Sequence, residues 1–316
     1  MKKRGLEFNF AVLFSIIVGI AILLLAVYFS MKIISIGSLE QESSKTTQLL
    51  ILFDPMETGI SSGKYELYSL KEDSKIYNEC FNDNEFGYQK FSLSSKILGK
   101  WQEKNIGQRI YNKYIFSSQV EEGKKIHFFS KPFNFPFKVS ELIFISTENY
   151  CFYNTPDFIK EEIEVMKIKN IKLNNCSSSD IKVCFYSGVN CNITVIPLCQ
   201  IDCEYGNYEY GKVKHSNGKE VYYYGDSLLY GAIFSSPEIY ECNFKRLMYR
   251  ASQQAKLLSE ESYFISTKCQ TIPKEELFLF SEDFFNIKNS SELSINIINK
   301  MKNINKKNEI ALCNLW

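Results

Sequence analysis

The run Phe8-Asn9-Phe10-Ala11-Val12-Leu13-Phe14-Ser15-Ile16-Ile17-Val18-Gly19-Ile20-Ala21-Ile22-Leu23-Leu24-Leu25-Ala26-Val27-Tyr28-Phe29-Ser30-Met31 contains no charged side chain. It is long enough for the roughly 20 apolar residues that a helix needs to cross a bilayer. The reading assigns residues 1–8 to a cytoplasmic N-terminus and residues 9–31 to a transmembrane helix. Lys2, Lys3 and Arg4 precede the run and only Lys32 follows closely, so the positive-inside rule predicts that everything after it lies outside the cytoplasm. A cleaved secretory signal is the competing reading, because it also joins basic residues to an apolar stretch. Its core spans only about 7–15 residues, however, and no small-x-small site follows Tyr28, which favours a retained anchor.

The cysteines agree with that orientation. Cys80, Cys151, Cys176, Cys184, Cys191, Cys199, Cys203, Cys242, Cys269 and Cys313 all follow the apolar run, and their even number suits a disulfide framework in an oxidising compartment. Their connectivity is open. Cys176, Cys184 and Cys191 are near enough to close small loops with one another or with Cys199 and Cys203, and Cys242 is a candidate partner for Cys269 or Cys313. The closest spacing is Cys199-x-x-x-Cys203, and neither His127 nor His215 sits beside a cysteine pair, so the pattern predicts neither a metal site nor a cofactor. Asn175-Cys176-Ser177, Asn192-Ile193-Thr194 and Asn289-Ser290-Ser291 match the glycan acceptor triplet, the first beside a cysteine expected to be bonded.

No proline interrupts the stretch from Met31 to Phe53, which predicts a juxtamembrane helix within residues 32–58, with Gly37 as a candidate break. Residues 59–316 form the extracytoplasmic part. Short β-branched and aromatic runs at Lys64–Tyr68, Phe86–Phe91, Lys125–Phe129 and Leu142–Ile145 read as strands. Tyr208–Val213 and Glu220–Tyr224 flank Asn217-Gly218, a pair that tolerates the positive φ of a tight hairpin.

Three helices are expected. One opens with Thr155 as cap and Pro156 in its first turn and runs to about Lys169, with Ile159, Ile163 and Met166 at helical spacing. The longest opens with Ser236-Pro237 and runs to about Glu261, with Tyr240, Phe244, Leu247, Ala251, Ala255 and Leu258 on one face. The last runs from about Ser290 to Ile304. The expected class is therefore α+β: a transmembrane helix continuing outward, then a disulfide-bonded, β-rich ectodomain.

The 37 basic and 36 acidic residues give a net charge of +1 with no basic stripe, which excludes nucleic acid as an expected partner. With two histidines, no Gly-x-Ser-x-Gly elbow, no histidine–glutamate zinc signature and no phosphate loop, no catalytic residue is assigned. The acidic clusters Asn82-Asp83-Asn84-Glu85 and Ser281-Glu282-Asp283 lack the spacing of a calcium loop. The most unusual stretch is Phe128–Phe137, where Phe133, Phe135 and Phe137 alternate with prolines. It is either an exposed platform for a glycan, peptide or neighbouring subunit, or an edge strand tucked onto the core.

Two resemblances add to this reading. The elements Lys3-Arg4-Gly5-Leu6-Glu7-Phe8, Gly123-Lys124-Lys125, Ser130-Lys131-Pro132-Phe133, Phe135-Pro136-Phe137-Lys138-Val139, Tyr240-Glu241-Cys242 and Cys313-Asn314-Leu315-Trp316 resemble an uncharacterised family of membrane-anchored proteins from DPANN archaea. That resemblance implies a location and no activity. Arg4-Gly5 before a long apolar helix is similar to the class III signal of archaeal pilins, which implies processing after Gly5; Glu7, two residues past the glycine, departs from the bacterial pattern of a glutamate at the fifth position. The expected function is a tethered cell-surface ectodomain with the lipid bilayer and a protein or glycan as partners. A pilin-like minor subunit and an extracytoplasmic enzyme are the alternatives.

Overall fold

The computed structural model describes residues 10–58, 63–82, 86–97, 99–102, 104, 106–186, 190–198 and 208–316. Gly5, Cys199 and Cys203 lie outside them, as do Asp83, Asn84 and Glu85.

Helix α1, Phe10–Leu52, is continuous for 43 residues, so the expected outward extension is present and Gly37 does not break it. A single glycine inside a long helix costs only about 1 kcal/mol, which the flanking turns absorb. The short helix α2, Asp54–Glu57, follows with a proline in its first turn.

Seven strands then build the first sheet: β1 Tyr65–Phe81, β2 Tyr88–Ile97, β3 Lys100–Trp101, β4 Gln108–Ile110, β5 Tyr114–Phe116, β6 Val120–Asn134 and β7 Lys138–Ser146. Their order is β3-β2-β1-β6-β7-β5, with β4 paired to β2. A register shift between Ser69 and Ser74 bends β1 where it pairs with β6. The second sheet takes β8 Tyr150–Tyr153, β9 Ile171–Leu173, β10 Ile181–Phe185, β11 Ile193–Pro197, β12 Tyr210–His215 and β13 Glu220–Tyr224, in the order β13-β12-β11-β10-β8-β9. Helix α3, Asp157–Met166, connects the parallel neighbours β8 and β9.

The expected hairpin is β12–β13, in register from Tyr210 opposite Tyr224 to Lys214 opposite Glu220. Its turn differs from a two-residue Asn-Gly turn. The Gly218 amide donates to the His215 carbonyl at 2.9 Å and Gly218 takes φ +81°, while Asn217 is not among the residues with positive φ.

Helices α4 Gly225–Phe234, α5 Pro237–Ser266, α6 Lys274–Asn286 and α7 Ile295–Ile310 complete the head, with a 3-10 turn at Ser290–Glu292. Every side chain from Ser227 to Phe234 is buried, because α4 contacts β6 and β7 of one sheet and β12 and β13 of the other. A helix apolar all round belongs inside the protein. Its Gly231 is required there: a Cβ would come within 2.9 Å of the Phe116 ring.

Five helices therefore follow β1 where three were expected. The additional two are α4 and α6, whose short apolar runs carry no period that separates helix from strand. The expected caps also differ. Thr155 and Ser236 make no capping bond, and α7 starts five residues after Ser290, capped by the Ser294 side chain receiving the Ile297 amide.

Among the described residues, four disulfides join Cys80–Cys242, Cys151–Cys176, Cys184–Cys191 and Cys269–Cys313. The short Cys184–Cys191 loop matches expectation. Cys242, expected to reach Cys269 or Cys313, instead bonds Cys80 across 162 residues, because α5 starts beside the end of β1.

Candidate functional site

Two parts of α1 behave differently. From Phe10 to Ser30 the helix has a mean hydropathy of 3.1 and buries none of its surface in the protein. Phe10, Leu23 and Leu24 are each at least 66% exposed, and no face of this segment is polar. Leaving its 15 large apolar side chains in water is unfavourable by about 25 cal/mol per Å² of apolar surface, so the segment requires an apolar surrounding.

From Glu42 onward the same helix docks on the first sheet. The first contacts are polar: the Lys45 ammonium donates to Glu42 at 3.0 Å and to the Ser95 hydroxyl at 3.2 Å, and Gln108 donates to the Thr47 hydroxyl. Above them Leu49, Leu50, Phe53 and Met56 pack with Ile76, Phe91, Leu93, Ile126, Phe128, Ile143 and Ile145 as a core separate from the larger one around α4. Lys113 then ties α2 to the sheet through Asp54 at 2.7 Å and Glu57. The helix that carries the apolar stretch is thus part of the fold of the head.

A buried polar network closes this seat. The Gln89 side chain accepts the Ile115 amide at 2.8 Å and donates to the Ile115 carbonyl at 2.7 Å. Asn78 and Asn243 donate to the same carbonyl at 3.2 and 2.9 Å. Arg246 on α5 is fully buried and donates to Asn243 at 2.8 Å and to the carbonyls of Phe86 and Tyr111 at 3.0 and 2.8 Å, its guanidinium 4.7 Å from the Tyr114 ring centre. Burial lowers its pKa to about 10, so it is cationic at neutral pH among neutral acceptors. The Cys80–Cys242 bridge lies one residue from Asn243 and fastens α5 to β1.

A second polar cluster spans the layers. The Lys131 ammonium on β6 donates to Glu162 of α3 and Asp226 of α4, 5.0 Å from the Tyr230 ring centre. Glu121, 2% exposed, receives the amides of Ser118 and Thr147 and the Thr147 hydroxyl at 2.8–3.1 Å, and so holds the turn that leads from one sheet to the other. Burial raises its pKa.

The phenylalanine platform is corrected by the structure. Phe133, Phe135 and Phe137 are 2%, 0% and 4% exposed and pack on Phe284, Tyr224 and Trp316. β6 and β7 lie under α4 and the C-terminal helices, so this stretch is core and not an exposed surface. Of the acceptor asparagines, Asn175 and Asn192 are exposed. The Asn289 side chain is occupied by Ser291 and Glu292 as the cap of the 3-10 turn. His127 meets the Tyr65 hydroxyl at 2.6 Å; burial lowers the pKa of both His127 and His215.

Clefts open at two places on the head. One of about 390 Å³ lies between Tyr77–Phe81 and Glu238–Ile239; one of about 180 Å³ lies between α6 and α7 and includes Glu276, Asp283 and Lys300. Those last three side chains are already committed to the ion pairs Lys307–Glu276 and Lys300–Asp283. Sequence reasoning missed Gln89, Lys131 and Arg246, because nothing local separates them from surface residues.

No family model, curated protein or solved structure matches this chain.

Proposed function

We propose that this chain is a membrane-tethered extracytoplasmic protein whose head serves as a cell-surface binding or envelope-structural domain. The observation that carries this reading is the division of α1: an unburied apolar stretch from Phe10 to Ser30 and a docked stretch from Glu42 to Leu52 on one unbroken helix. The bridged cysteines support an oxidising compartment for the head, and Lys2, Lys3 and Arg4 support a cytoplasmic N-terminus. The head is continuous with the helix that carries the apolar stretch, which suits a surface module that presents a face to a protein or glycan partner.

The continuity of α1 also favours a second reading, in which the exposed apolar half packs with other copies in a pilin-like assembly after processing at Gly5. The mass of the N-terminal peptide of protein extracted from its native membrane separates the two. A chain that retains Met1–Arg4 and resists alkaline extraction is a permanent anchor. A chain beginning at Leu6 transfers the assignment to the assembly.

A further inference from the structure

Helices α5, α6 and α7 form one layer. α5 and α6 run antiparallel, tied by Lys274–Glu260 at 2.8 Å and Lys256–Glu282 at 3.3 Å, and α7 runs back along α6 through Lys307–Glu276 and Lys300–Asp283, both at 2.7 Å. The Cys269–Cys313 bridge holds the C-terminal tail on the α5–α6 turn. Each helix turns its buried residues inward: Ala251 and Ala255 on α5, Leu277 and Phe284 on α6, Ile298 and Met301 on α7. Helical spacing then puts Leu257, Phe264, Phe278, Leu279 and Ile310 toward the outer face, and Leu312 joins them from the tail. These six are 45–79% exposed.

At about 200 Å² for a bare side chain of this size, they present roughly 800 Å² of apolar surface. The largest patch on a typical monomer is about 300–600 Å², and one partner's share of a standard interface is about 800 Å². The face is also complementary to itself. Its rim carries both signs of charge: Glu261 lies one turn from Leu257 and from Phe264, Glu275 one turn before Phe278, Lys306 one turn before Ile310 and Lys268 just past Phe264. None of these four forms an ion pair among the described residues, and all are exposed. The cleft of about 180 Å³ beside Leu279, walled by Phe280 and Ile304, opens among the projecting side chains. Projections, a cleft and both charges on one surface suit an isologous contact, in which each group meets its complement on an identical face.

We infer that the outer face of α5, α6 and α7 is the contact surface of a dimer: a second copy of this chain packs on it about a two-fold axis, burying Leu257, Phe264 and Leu312 between the heads. α5 lies on the face of the first sheet opposite α1, because β5 and β7 turn Phe116, Leu142 and Phe144 to its side and Ile115, Ile143 and Ile145 to the side of α1. The contact therefore goes beyond the anchoring role and does not use α1.

Zero-length carbodiimide cross-linking tests this on the full chain. Equal amounts of unlabelled and nitrogen-15-labelled protein are reconstituted together into vesicles, so that a peptide pair joining a light chain to a heavy one reports a contact between copies. The Lys274–Glu260 product within one chain confirms that the reagent has acted. The expected result is light–heavy pairs joining Lys268 or Lys306 to Glu261 or Glu275. The exposed double variant Phe264→Gln with Leu312→Gln should lower their yield about ten-fold or more and leave the Lys274–Glu260 product unchanged. Wild-type protein that gives the within-chain product alone overturns the dimer, and so do light–heavy pairs undiminished in the double variant. Alkaline extraction of the same vesicles reports the anchor separately: a chain released by alkali that still gives the light–heavy pairs overturns the anchor and leaves the dimer standing.

Discussion

The Gln89 side-chain amide forms the same pair of hydrogen bonds with the Ile115 backbone that a neighbouring strand would form, at 2.8 and 2.7 Å. β5 sits at one end of the sheet order and β2 near the other, so this one side chain joins the two ends around the α1 seat. Replacing it with Leu leaves the Ile115 amide and the Asn78 side-chain oxygen, to which Gln89 also donates at 2.8 Å, without a partner in a buried site, while the Ile115 carbonyl keeps Asn78 and Asn243. Each unsatisfied buried group costs about 1–3 kcal/mol, so Gln89→Leu is expected to lower stability by roughly 3 kcal/mol. Denaturant unfolding of the detergent-solubilised protein measures it, and a loss under about 0.5 kcal/mol would refute the bridging role.

Phe53 is fully buried and stacks edge-on against Phe128 at 5.5 Å. Phe53→Ala should cost about 3–5 kcal/mol. Truncation tests the same seat at coarser grain. A chain starting at residue 42 keeps the docked segment and is expected to be a soluble, folded head; one starting at residue 54 exposes Ile76, Phe91 and Leu93 and is expected to aggregate. Size-exclusion profiles of the two secreted fragments decide this.

Lys131 is 7% exposed between two carboxylates. Lys131→Met strands Glu162 and Asp226 together without their cation, and breaking a buried pair costs about 3–5 kcal/mol, less here because Asp226 is half exposed. A loss of about 2 kcal/mol is expected, and Lys131→Met with Glu162→Gln and Asp226→Asn should regain most of it. If the triple variant is no more stable than the single one, the loss is packing and not charge.

The pH dependence has two opposing parts. His127 and His215 have depressed pKa values in the folded state, so their contribution is complete above 6.5 and is lost as pH falls below it toward their folded values. Glu121 is raised, so its contribution is complete below 4.5 and is lost as pH rises through its folded value. Thermal melts across pH 4–8 should therefore show a fall in stability on acidification just below 6.5. Glu121→Gln should flatten the part of the curve just above 4.5; an unchanged slope there rules out Glu121 as its source.

Cys80→Ser with Cys242→Ser opens a link across 162 residues and should lower stability by roughly 5 kcal/mol on the chain-entropy account. Peptide mapping without reduction should recover the four assigned pairs, and a Cys242–Cys269 peptide would contradict the structure.

What the sequence by itself determined is whatever depends on neighbours along the chain. The apolar run, the unbroken helix beyond it, the β12–β13 hairpin, the strands around Phe91, Phe128 and Ile143 and the one face of α5 all follow from local period and composition. The even cysteine count pointed to disulfides, while leaving Cys80 and Cys242 unmatched. Only the tertiary structure decided that Phe133, Phe135 and Phe137 are core, that α4 is a helix buried between two sheets, and that Gln89, Lys131 and Arg246 are internal. The physical reason is that burial and pairing are set by groups that meet across 100 residues or more, as Arg246 meets Tyr111 and Cys242 meets Cys80, and local periodicity carries no record of those encounters.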